Sequence, residues 1–126
     1  MERVTGYFVD TYSIIEFLKG NKKFIKYFKG NPIATILNLM ELYYIVLRDF
    51  GKKQADKEFS RFLNCSVDFN NEDVKEAMQF RLKFRKKGKD FSYADAVGYT
   101  VAKKNKVKFV TGDDAFRKLR NVKFVK

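Results

Sequence analysis

The chain has 126 residues, 45% of them hydrophobic with 14 Phe and 7 Tyr, enough for one packed core; 27 Lys and Arg stand against 15 Asp and Glu, a net charge of +12. With no His and a single Cys, Cys65, it cannot build a Ser-His-Asp or Cys-His nucleophile, a structural zinc site, a disulfide of its own or an imidazole acid-base pair. The positive charge favours a polyanionic partner, nucleic acid first and an anionic membrane surface second, and for a hydrolase carboxylates and a hard, oxygen-bound metal ion are the readiest remaining tools.

A lone Cys fits a reducing cytoplasm. No apolar run is long enough to span a membrane, and Met1-Glu2-Arg3-Val4 lacks the basic and then apolar plan of a signal peptide. The expectation is a soluble cytoplasmic protein of one domain over residues 1–126.

Val4 to Asp10 reads as a strand, and Thr11 to Lys19 follows as a helix stopped by Gly20. Asn21 to Lys29 suits a short second helix, ended by Gly30-Asn31-Pro32. Pro32 can begin a strand, since it need not donate to the ladder there, so Ile33 to Ile36 is a candidate strand. Leu39, Leu42, Tyr43, Val46, Leu47 and Phe50 then fall at the spacing of one buried helix face, with Gly51 as the stop. Lys52 to Leu63 continues as the return arm of a helical hairpin, with Phe59, Phe62 and Leu63 facing inward.

Ser66 to Phe69 is another candidate strand, and Asn70-Asn71 turns the chain into a helix from about Glu72 to Lys86, closed by Gly88. Ser92 opens a helix of small residues in which Ala94, Gly98, Val101 and Ala102 form a narrow stripe suited to close packing on a sheet. Val107 to Thr111 is a strand, Gly112-Asp113-Asp114 a turn, Phe116 to Leu119 one helical turn and Val122 to Val125 a last strand. Strands alternating with helices imply an α/β fold with a mostly parallel sheet covered on both faces. Neither GxGxxG nor GxxxxGK[ST] occurs, so the usual phosphate cradles are missing.

Most of the acids lie in charged helical surroundings; four do not. Asp10 follows a strand, Glu41 and Asp95 sit in the first turns of their helices, and Asp113 follows the strand ending at Thr111. In a parallel sheet all four lie towards the carboxyl-end edge, where open α/β sheets place their ligands. Each has a plain structural explanation. Asp10 would N-cap its helix, Asn38-Leu-Met-Glu41 and Ser92-Tyr-Ala-Asp95 match or nearly match a capping box, and Asp113 suits a turn. Together, however, four converging carboxylates repel one another unless a cation neutralises them. Mg²⁺ or Mn²⁺, one or two ions, matches an all-oxygen site and would bring phosphodiester hydrolysis within reach.

The stretches Phe8-Val9-Asp10-Thr11, Asn38-Leu-Met-Glu41, Tyr93-Ala-Asp95-Ala96 and Phe109-Val-Thr111-Gly-Asp113-Asp-Ala-Phe116, in this order, resemble the PIN domain, most closely the VapC-type toxin ribonucleases. The resemblance covers essentially the whole chain. It implies a three-layer α/β/α sandwich, a parallel sheet of four or five strands ordered 3-2-1-4-5, and metal-dependent endoribonuclease activity. By that likeness Asp10, Glu41 and Asp95 bind the metal, while Asp113 binds a second ion or orients water. Thr111 matches a hydroxyl residue that holds a carboxylate or water. Thr11, Ser92 and Asp114 stand beside the ligands, and Asn38 stands where Ser or Thr is common. The family also implies a homodimer and a small antitoxin that blocks the site.

Lys83, Arg85, Lys86, Lys87 and Lys89 form the densest basic run and are the candidates for RNA phosphates; Lys103, Lys104, Lys106 and Lys108 read as solvated surface. Three readings of function remain open: a toxin-type endoribonuclease, a non-catalytic RNA-binding module or RNA-processing PIN protein, and a nuclease directed at DNA.

Overall fold

The computed structural model describes residues 6–126, so Val4 and Thr5 of the first expected strand lie outside the described residues. Strands β1 (Tyr7–Val9) and β2 (Lys108–Thr111) pair in parallel, with Phe8 opposite Phe109 and Val9 opposite Val110. Successive side chains leave a strand on opposite faces, so this register sends both phenylalanines to one side of the sheet and both valines to the other. Strand β3 (Val122–Phe124) pairs in parallel on the far side of β2.

Two more segments extend the sheet without becoming strands. Ile33 bridges Phe8, and Ala34 bridges Ser66, both in parallel. The backbone order is therefore the implied 3-2-1-4-5, but three strands form among the described residues, and neither Ile33–Ile36 nor Ser66–Phe69 is one of them. The reason is local: Thr35 already caps the next helix, and Asn70 caps another just after Ser66, so each segment pairs briefly and turns away.

Helices α1 (Thr11–Leu18), α2 (Lys22–Ile25), α3 (Ile36–Phe50) and α4 (Lys52–Phe62) cover the valine face. There Val9 and Val110 pack with Ile14, Phe24, Leu39, Leu42, Val46 and Phe62. Helices α5 (Asn71–Arg85) and α6 (Tyr93–Lys104) cover the phenylalanine face, where Phe8 and Phe109 stack with ring centroids 5.3 Å apart. Phe91, Tyr99 and Phe116 complete an aromatic layer on that side, Phe91 stacking on Phe116 at 4.3 Å.

The expected apolar face of α3 is only partly buried. Leu39, Leu42 and Val46 are enclosed, but Leu47 and Phe50 are exposed, Phe50 by 74%. A 15-residue helix is about 22 Å long and overhangs strands of three or four residues, so its last turn runs past the core. Leu63 also points outward, in the short 3-10 turn Leu63–Cys65 that ends α4. The turn expected over Phe116–Leu119 forms slightly earlier, as a 3-10 turn over Asp114–Phe116.

Helix α6 behaves as its small residues predict. A Cβ placed on Gly98 would lie 2.8 Å from the Phe8 ring and 3.2 Å from that of Phe109, so only glycine lets the helix settle this close to the sheet. That approach fixes Asp95, one turn earlier on α6, against the edge where β1 and β2 end.

Candidate metal centre

Asp10 follows β1 and is 2% exposed. It N-caps α1, its Oδ1 accepting the Ser13 N–H at 2.8 Å, and the Ser13 hydroxyl donates to the Val110 carbonyl at 2.9 Å. The cap predicted from sequence is therefore real, and it clamps the start of α1 to β2. Burial pushes the Asp10 carboxyl up to about 7; hydrogen bonds from Thr111 and Ser13 pull it back, and the charge of Asp95 adds to the rise.

Glu41 lies in the second turn of α3 rather than its first. The cap of α3 is Thr35, and the capping box pairs Thr35 with Asn38, not Asn38 with Glu41. The shift has a physical basis: Asn38 is 1% exposed, its Oδ1 accepting the Thr35 N–H at 3.0 Å, which leaves its Nδ2 to donate to Thr11 Oγ1 at 3.3 Å. Thr11 Oγ1 donates in turn to Glu41 Oε1 at 2.6 Å. The chain of bonds Thr35, Asn38, Thr11, Glu41 holds the Glu41 carboxylate beside the end of β1. Freed from capping duty, Glu41 is available to the site.

Asp95 is the third residue of α6, and Ser92 caps it as predicted: the Asp95 N–H donates to Ser92 Oγ at 3.0 Å and the Ser92 N–H to Asp95 Oδ2 at 3.2 Å. Burial raises the Asp95 carboxyl to about 6; the charges of Asp113 and Glu41 add to this, and the hydrogen bonds to Ser92 oppose it. Asp113 caps the 3-10 turn after β2, Oδ1 accepting the Ala115 N–H at 3.0 Å, while its own N–H donates to Thr111 Oγ1 at 3.0 Å. Thr111 is thus shared between Asp113 and Asp10. Asp114 turns the other way and pairs with Arg117 at 3.0 Å and Lys126 at 3.1 Å, outside the constellation.

Asp95 is the centre of the group, because its charge is felt by Asp10 and it feels those of Glu41 and Asp113. Asp49, Asp56, Asp73, Asp90 and Asp114 each pair with Lys or Arg. Among the described residues, Asp10, Glu41, Asp95 and Asp113 have no such partner within 4.0 Å, despite the net charge of +12. The four stand around the edge rather than in a closed cage: among the described residues, no three acidic or thiol side chains are close enough to enclose an ion. The donors are nevertheless all oxygen, and two of them, the buried Asp10 and the half-buried Asp95, are driven up by desolvation and by the charges of neighbouring carboxylates, an imbalance that a hard divalent cation such as Mg²⁺ or Mn²⁺ fits.

Of the basic run, Lys89 donates at 3.0 Å to the carbonyl of Ala115, the residue whose N–H Asp113 accepts, and Lys87 lies 5.2 Å from the Phe84 ring centroid. Arg85 is paired with Asp90, whereas Lys83 and Lys86 project from the surface. Sequence reasoning missed Ser13, Thr35 and Gly112. The first two carry a local signal, since Asp10-x-x-Ser13 and Thr35-x-x-Asn38 have cap spacing. Gly112 reads in the sequence only as a turn residue; a Cβ there would collide with the Tyr12 ring and sit 2.7 Å from the Val125 carbonyl, so the turn carrying Asp113 can pass beneath Tyr12 only as glycine.

Among the described residues, no helix is long and apolar enough to cross a membrane. No curated protein matches the chain in sequence. Solved structures do match in fold. A chain of VapBC2 from Rickettsia felis bound to a DNA fragment from its promoter superposes with a TM-score of 0.73 at 18% identity, covering 94% of this chain and 96% of that one. A chain of a toxin-antitoxin complex from Klebsiella pneumoniae gives 0.72 at 12% identity, over 94% and 96%. VapBC-1 from nontypeable Haemophilus influenzae gives 0.70 at 14%, over 95% and 96%. At such identities the likeness speaks for the α/β sandwich alone. The sequence itself matches the PIN domain family over residues 7–122, from the start of β1 to the start of β3 and across all four carboxylates. The chain belongs to the PIN domain family.

Proposed function

We propose that the protein is a metal-dependent endoribonuclease, the toxin of a toxin-antitoxin pair acting in the cytoplasm. The observation that carries this reading is the set of four carboxylates without cationic partners at the carboxyl-end edge of the parallel sheet, in a chain of net charge +12. Asp10, Glu41 and Asp95 would hold a Mg²⁺ or Mn²⁺ ion, and Asp113 a second ion or the attacking water. A cation bound there supplies an activated water and offsets charge on the phosphodiester. The chain's own residues set the geometry: Thr11 steers Glu41, Thr111 steers Asp10 and Asp113, and Ser92 steers Asp95. Each of the four carboxylates is held through one oxygen by a cap or hydroxyl bond. Lys83, Lys86, Lys87 and Lys89 supply a positive rim for the RNA backbone.

The toxin reading is supported by the fold shared with chains of toxin-antitoxin complexes. It is also supported by an apolar stripe on α3, next to Glu41: Ile36, Met40, Tyr44 and Leu47 follow helical spacing and are 40% exposed or more. A protein partner, a second copy or an antitoxin, would cover it. The open arrangement of the carboxylates favours a competing reading, an RNA-binding module without turnover. Incubating the purified protein with single-stranded RNA and DNA of one sequence, with Mg²⁺, Mn²⁺ or chelator, separates these. Divalent-dependent cleavage of RNA alone is expected; salt-sensitive RNA binding without cleavage under any divalent ion would replace the nuclease with the binding module.

A further inference from the structure

A cationic groove lies next to the site, and none of the four carboxylates lines it. Its volume is about 540 Å³, and it runs along α6 between α5 and the loop before β3. Phe80, Phe84 and Tyr99 form its floor, Phe80 stacked on Tyr99 at 4.7 Å. Lys83, Lys103, Lys118 and Arg120 form its rim, all four exposed and, among the described residues, without an acidic partner within 4.0 Å. Lys83 and Lys103 each lie 5.8 Å from a ring centroid, those of Phe84 and Tyr99. Glu76 is the one acid lining it.

We propose that this groove is a second binding site for single-stranded RNA, continuous with the catalytic edge. The inference rests on RNA being the substrate. Named contacts link the carboxylates to a residue of the groove: Asp113 caps Ala115, the Ala115 carbonyl holds Lys89, and Lys87, two residues before it, lies over Phe84 in the groove floor. Along α6, Asp95, Tyr99 and Lys103 recur at four-residue spacing on one face, so the groove begins one turn from the carboxylates and extends about 12 Å away from them. Four exposed cations without acidic partners along one groove suit the phosphates of a flexible strand, and the half-buried Phe80 and Phe84 beneath them offer apolar contact to its bases, while Tyr99 is buried in the core. The basic residue Lys103, which the sequence alone leaves as solvated surface, gains a role here.

The test measures binding of a twelve-nucleotide oligouridylate, in chelator so that it is not cut, as a function of salt. The variant K103E/K118E is compared with K53E/K57E, the same charge change on α4, and circular dichroism verifies that both are folded. The groove variant should bind about tenfold more weakly at 100 mM salt than the α4 variant, and its slope of log Kd against log salt should fall by about 1.4, two lost phosphate contacts at about 0.7 each. Photocrosslinking of 4-thiouridine RNA to the wild-type chain should label peptides holding Phe84 or Tyr99, independently of any variant. Equal affinities for the two variants, crosslinks confined to other elements, or groove-dependent binding of an oligoglutamate peptide without RNA would each overturn the proposal. Cleavage separates the two readings: an RNA-cleaving protein with indifferent groove variants defeats the groove alone, and groove-dependent binding without cleavage defeats the nuclease alone.

Discussion

Replacing Asp10 by Asn should stabilise the metal-free protein while removing its response to divalent ions. The Asp10 carboxyl rises from 3.8 in the unfolded chain to about 7 in the folded one, chiefly by burial. A group raised by folding binds its proton more tightly in the folded state, so its contribution is intact below about pH 4 and is lost as pH climbs to about 7. A shift of about 3 pH units corresponds to at most roughly 4 kcal/mol of destabilisation at pH 8. Asn carries no charge to bury and keeps an Oδ1 for the Ser13 N–H, and Asn and Asp are equally good caps. The variant should therefore melt higher at pH 8, by about 3–4 °C per kcal/mol regained in a domain of this size, and match the wild type at pH 4. Thermal unfolding in chelator between pH 4 and pH 8.5 measures the difference. Millimolar Mn²⁺ should then raise the wild-type melting temperature at pH 8 by mass action and leave the variant unmoved. A variant destabilised equally at both ends of the range, or equally stabilised by Mn²⁺, would refute the argument that Asp10 is a carboxylate buried for a cation.

Other outcomes follow from single contacts. Gly98→Ala should cost about 1–3 kcal/mol in urea unfolding, because its methyl meets the stacked rings of Phe8 and Phe109. Asn38→Ala should cost about 1–3 kcal/mol by leaving the buried Thr35 N–H unpaired, and it should slow RNA cleavage by releasing Thr11 from Glu41. Asp114→Ala should keep both Mn²⁺ stabilisation and cleavage, whereas Asp113→Ala loses much of each. Parallel melting curves and single-turnover cleavage of the pair check the assignment, which rests on Asp114 being occupied by Arg117 and Lys126.

The layers and the candidate site were legible in the sequence for the same reason: both are set by short-range patterns. Phe8-Val9-Asp10 shows an alternating strand ending in a cap, and the small residues of α6 announce close packing before the Gly98 contact is seen. Burial at the ends of elements was less readable. Leu47, Phe50 and Leu63 obey helical spacing, but exposure at a helix end depends on how far the neighbouring strands reach. The cap of α3 was misplaced by three residues because Thr35 and Asn38 both favour caps, and only the hydrogen bond from Asn38 to Thr11 decides between them. The segments around Ile33 and Ser66 pair at single residues, a distinction of backbone geometry that residue types do not carry. The cationic groove was invisible for another reason: α5, α6 and the loop before β3 assemble it from positions as distant as Lys83 and Arg120.

The most direct test of the central claim is cleavage of a defined single-stranded RNA by the purified wild type, Asp10→Asn and Asp95→Asn at pH 8 with Mn²⁺, each variant verified as folded. The wild type should cut in a reaction abolished by chelator, and both variants should lose at least a hundredfold in rate while still binding the RNA. Cleavage by either variant at the wild-type rate would contradict the account.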